Sequence, residues 1–202
     1  MTDLTRLEDE ATYTELELEG VELDDQRAAG VTIRESRLTD VSLNGSKLEA
    51  LALADVRLER GNLANVQARR ANLRAVAIAG CRMTGMSLTD ATLTDVTFTG
   101  CHLDLASFTA SRLTRVTFTD CLLRQADVMG AELDGVRFHR TDMTEFDLRD
   151  ATLARCELRD CRLDGLRGAG RLRGAALPWD DIVGNAALWA GELGITTLDD
   201  ED

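Results

Sequence analysis

Residues 91–120 read ATLTDVTFTGCHLDLASFTASRLTRVTFTD. Every fifth residue of that stretch, Leu93, Phe98, Leu103, Phe108, Leu113 and Phe118, is large and apolar. The register extends without a slip back to Tyr13 and forward to Leu163. At 44% apolar content, an unbroken run of that length has a chance probability of roughly 10⁻¹¹. A period of five fits neither an α-helix, which repeats every ~3.6 residues, nor a flat strand, which alternates every ~2. Fixed self-similarity marks a repeat architecture.

Two positions before each central residue lies a smaller apolar set that includes Val31, Val56, Ala71, Cys81, Ala91 and Cys101. The other three positions of each five are largely Thr, Asp, Glu, Arg, Ser, Gly and Asn, with Leu105, Leu122 and Met129 the large apolar exceptions. A chain with two inward and three outward residues per repeat must turn after every repeat. Four quarter-turns then close a square coil of 20 residues, and like should stack on like at that spacing. Three ladders meet this test: Phe98, Phe118 and Phe138; Cys81, Cys101 and Cys121; and Val56, Val76, Val96, Val116 and Val136. The chain therefore reads as an all-β solenoid, with those phenylalanines and cysteines in its core.

The repeats Gly61-Asn62-Leu63, Ala71-Asn72-Leu73, Ala126-Asp127-Val128 and Ala131-Glu132-Leu133 resemble the A(D/N)LxX motif of the pentapeptide-repeat family. The resemblance implies a right-handed quadrilateral β-helix, here of about eight 20-residue coils. At one inter-strand spacing per coil the rod would be roughly 37 Å long. Residues 1–10 read as a lead-in, 11–177 as the β-helix and 178–202 as a C-terminal helix with an acidic tail. The frame breaks at Gly168, and Leu172 and Leu177 fall one residue out of phase.

Beyond Pro178 the pattern becomes helical. Trp179, Ile182, Val183, Ala186, Ala190 and Leu193 form one stripe, Asp180 and Asp181 suit a helix N-terminus, and Gly194 suits a stop. These positions predict one helix over 179–193 that packs its stripe across the last coil, leaving Leu188 opposite the stripe and Trp189 at its edge. Apolar surface left over from capping predicts a homodimer joined through Trp179, Ile182, Val183, Leu188 and Trp189.

Net charge is −13, unevenly spread. Residues 1–30 hold ten acids and two arginines, and residues 176–202 hold seven acids and no base. The stretch between is close to neutral, with a basic concentration at Arg57, Arg60, Arg69, Arg70 and Arg74. Acidic ends and the lack of an aromatic platform argue against direct nucleic-acid binding. With no long apolar run and no charged-then-apolar leader, a membrane span and a secretory signal are not expected, and a cytoplasmic location is. The five cysteines lack CxxC spacing and read as buried free thiols, without metal or cofactor. No nucleophile triad, phosphate loop or carboxylate pair stands out, so a non-enzyme is expected.

Within the family the chain is most similar in organisation to the MfpA/Qnr-type members, acidic dimeric rods that occupy the DNA-binding saddle of type II topoisomerases. That resemblance implies a protein partner, possibly DNA gyrase, with protection against quinolones or toxins. The acidic partner surface would be Asp180, Asp181, Glu192, Asp199, Asp200, Glu201 and Asp202. The alternative is a generic binding or regulatory scaffold with another protein partner. In that case the acids serve only to keep the rod's ends soluble.

Overall fold

The computed structural model describes residues 4–196, which form a four-sided β-solenoid closed by two short helices. On the first face Thr12–Thr14 pairs with Thr32–Arg34, which pairs with Ala52–Ala54. The stack continues through Asn72–Ala79, Thr92–Thr99, Arg112–Thr114 and Glu132–Asp134 to Thr152–Ala154. Every pairing is parallel with a register of 20 residues, from Tyr13↔Ile33 to Leu133↔Leu153, so this face takes about seven turns. A second face runs from Glu17–Glu19 to Glu157–Arg159. The other two faces are joined mostly by single bridges such as Arg82↔His102 and Ser107↔Asp127.

The five-residue period follows from one backbone event. Two residues after each central position the chain enters the left-handed region, with φ of 49° to 60° wherever the residue is not glycine. An L-residue pays about 1–2 kcal/mol for that conformation, and β-branched side chains tolerate it worst. From Glu15 to Gly165 these corners hold Gly, Asp, Glu, Asn, Gln, Arg, Ala and one Leu, but never Val, Ile or Thr. Threonine and valine abound at the other positions, so their exclusion has a local steric cause. Leu105 is the large apolar corner residue, and it stands exposed.

Central residues point inward and are buried almost throughout. Phe118 stacks between Phe98, at 4.8 Å, and Phe138, at 5.1 Å, with the rings nearly parallel. Phe108 and Phe146 meet this column edge-on from neighbouring faces. The smaller inward position has a second task. Ser111 Oγ accepts from the Ala91 N–H at 2.9 Å and donates to the Leu88 carbonyl at 2.6 Å. Ser36 and Ser46 likewise accept a backbone N–H from the preceding rung. Cys81 Sγ accepts from the Gly61 N–H and donates toward the Leu58 and Ala79 carbonyls. Small residues there fit the square corner, and those with an O–H or S–H also satisfy backbone groups.

Both ends depart from the plain repeat. Leu7 is 2% exposed, and the Ala29 N–H donates to the Asp9 carboxylate at 2.8 Å. Residues 7–10 thus form the cap of the first rung rather than a loose lead-in. At the other end, a Cβ on Gly168 would lie 2.9 Å from the Arg149 nitrogen, so only glycine fits. A 3-10 turn, Ala169–Leu172, follows. It buries Leu172 and shortens the rung by one residue, so Glu157 pairs with Ala176 rather than with residue 177. The predicted single helix is two: α1, Trp179–Gly184, and α2, Ala186–Glu192. Gly184 and Asn185 are poor helix formers, and Asn185 leaves helical geometry at φ −108°, ψ 25°. Gly194 at φ 72° ends α2, with the Ile195 N–H reaching back to the Ala190 carbonyl.

Candidate protein interface

The C-terminal end couples to the solenoid through specific groups. The Asp160 N–H, which has no further rung to pair with, donates to Asp181 Oδ2 at 2.8 Å. Trp189 Nε1 donates to the Ile182 carbonyl at 2.8 Å, tying α2 to α1 across the break. Leu188 and Trp189 pack against the core. Their orientation reverses the sequence expectation, because the break at Asn185 turns α2 relative to α1. Trp179 is 74% exposed, Val183 57% and Leu193 76%, with Ile195 also exposed. Ile182 is half-buried and joins Leu172, Leu177, Trp189 and Leu193 around a groove of about 360 Å³. The outward apolar surface is therefore Trp179, Val183, Leu193 and Ile195, whereas Leu188 and Trp189 serve to cap.

The acids fall into two populations. Along the shaft, carboxylates meet arginines one rung away: Asp40 with Arg60 at 2.7 Å, Asp95 with Arg115 at 2.6 Å, Asp104 with Arg124 and Asp120 with Arg140 at 2.7 Å. Hydrogen bonds from those guanidinium groups hold the four aspartates below the ordinary carboxylate range. Three more arginines of the basic concentration are engaged in the same way, through Arg69–Asp90, Arg70–Glu49 and Arg74–Asp55. Asp147 is buried and takes Arg149 at 2.7 Å. At the N-terminal tip, by contrast, Glu8, Glu10, Glu15, Glu19, Glu22 and Asp25 have no ion-pair partner among the described residues. Asp180 and Glu192 are exposed near the other end, while Asp181 is spent on the cap. Asp199, Asp200, Glu201 and Asp202 lie outside the described residues.

Cys81, Cys101 and Cys121 are buried free thiols. Among the described residues no group of three or more His, Cys, Asp or Glu side chains converges. The arrangement presents alternate side chains outward from faces of parallel strands.

A model of the pentapeptide repeat region matches in overlapping stretches, residues 51–127, 76–148 and 91–167. No curated protein matches the chain in sequence. Among solved structures, a trypsin-treated form of QnrB1, a plasmid-mediated fluoroquinolone resistance protein, is similar at 20% identity and a TM-score of 0.61. The match covers 92% of this chain and 99% of that one. HetL from Nostoc, a pentapeptide repeat protein involved in heterocyst differentiation regulation, aligns at 20% identity and a TM-score of 0.27 over 87% of this chain and 92% of its own. A pentapeptide repeat protein of the Arabidopsis thaliana thylakoid lumen aligns at 19% identity and a TM-score of 0.28 over 69% of each chain. An unbroken five-residue frame, a left-handed corner in every repeat and family matches over more than half its length place this chain in the pentapeptide-repeat family.

Proposed function

We propose that this chain is a non-catalytic, cytoplasmic protein-binding rod that dimerises through its C-terminal end. Its partner would be the DNA-binding saddle of a type II topoisomerase such as gyrase. Protection of that enzyme against quinolones or toxins would follow from occupancy of the saddle. The observation that carries the reading is the exposed apolar surface of Trp179, Val183, Leu193 and Ile195 at one end of the rod. A two-fold contact there joins two solenoids end to end and brings Asp180, Asp181 and Glu192 of both chains to the centre. The paired shaft is close to neutral, so the negative field concentrates at the middle and at the two N-terminal tips.

Inhibition of purified gyrase supercoiling tests this. The dimeric rod should inhibit at micromolar concentration, with inhibition weakening as salt rises. The cross-rung neutralisation of the shaft favours one competitor, a scaffold for a different protein partner. Supercoiling that proceeds unaltered at those concentrations would establish that competitor.

A further inference from the structure

Cys81, Cys101 and Cys121 hold the same inward position in three successive rungs, and each is at most 1% exposed. Their sulfurs sit alike. Cys101 Sγ lies 3.5 Å from both the Ile78 and Thr99 carbonyls. Cys121 Sγ lies 3.5 Å and 3.3 Å from those of Phe98 and Thr119. Because the contacts repeat rung for rung, successive sulfurs are offset by the rung translation, the 4.8 Å that separates the rings of Phe98 and Phe118. Each sulfur sits between a carbonyl of its own rung and one of the preceding rung, so the neighbouring sulfur of the column lies along the rod axis.

That geometry matches one kind of ligand. A metal–thiolate bond is about 2.3 Å long, so an ion bound linearly by two thiolates needs sulfurs about 4.6 Å apart. Soft thiolate sulfur selects ions with filled d shells. We propose that the cysteine column is a two-coordinate site for such a thiophilic ion, best fitted by Hg(II), held along the rod axis between Cys101 and one neighbouring cysteine. Two S–H bonds and the two Hg–Cl bonds of mercuric chloride break, two Hg–S bonds form, and two protons and two chloride ions leave to solvent, without any redox change. The mercuric bis-thiolate is uncharged, which an apolar core accepts. The corresponding Ag(I) or Cu(I) complex carries a negative charge whose burial is costly. The other cysteines cannot build this site: Thr141 separates Cys121 from Cys161, and Cys156 belongs to another column.

The test is addition of one equivalent of mercuric chloride to the native full-length chain, followed by gel filtration in excess 2-mercaptoethanol. A bridged pair should keep one ion per chain against the competing monothiol, release two protons per ion and leave the β-sheet circular dichroism unchanged. Cys101→Ser leaves sulfurs two rungs apart and should weaken binding at least tenfold. It should fold, because Ser111 already fills the equivalent hydrogen-bonding role elsewhere in the solenoid. Cys156→Ser should bind as the parent does. Equal retention by the parent and Cys101→Ser, loss of binding in Cys156→Ser, absence of retained ion in the parent, or uptake only with loss of the β-sheet signal would each overturn the site.

Discussion

At the residue scale, position within the repeat decides what a substitution costs. Phe118 sits between two stacked rings with Phe108 edge-on against it. Phe118→Ala should cost about 3–5 kcal/mol in chemical denaturation, whereas Thr117→Ala on the outer surface should stay within about 0.5 kcal/mol. Corners obey a different rule. Ala110 is exposed at φ 56°, so Ala110→Val loses no contact yet places a β-branched side chain in the left-handed region. It should lower stability by about 1–2 kcal/mol; an unchanged denaturation midpoint would show that the corner does not set the period. The inward ladders were legible in the sequence because a five-residue frame fixes which side chains share a column. The hydrogen bonding of Cys81 to Gly61 was not, since a small apolar reading of cysteine fits the same positions.

At the element scale, strands and helices differ in how far sequence reaches. The strands are short and their register is imposed by the repeat, so spacing alone locates them. The C-terminal segment has no repeat to lean on. Its apolar stripe assumes an unbroken helical phase, and the break at Asn185 resets that phase, which is why Leu188 and Trp189 face the core. The cap by Asp181 was hidden for a related reason: an aspartate in the first turn of a helix reads as a partner for the helix dipole, not for a strand corner. Asp181→Ala should unpair the Asp160 N–H and cost about 0.5–1.5 kcal/mol. Hydrogen exchange should show faster exchange at residue 160 than in the parent, and unchanged protection there would remove the cap from the account.

At the scale of the whole molecule, ion pairs and end surfaces govern behaviour. The aspartates paired to arginine titrate below their ordinary range, so the stability they contribute is complete above the unfolded carboxylate value, about 3.9. It is lost as pH falls through the still lower folded values of Asp40, Asp95, Asp104 and Asp120. Thermal midpoints should therefore hold from neutral pH to about 5 and drop below about 4; a fall already complete at pH 5 would point to other groups. The measurement closest to the central claim is sedimentation equilibrium of the intact chain at tens of micromolar. The account predicts a dimer that Trp179→Asp with Leu193→Asp converts to a folded monomer. A monomeric parent chain would contradict it, because Asp180, Asp181 and Glu192 of two chains would then never meet at the centre of a longer rod.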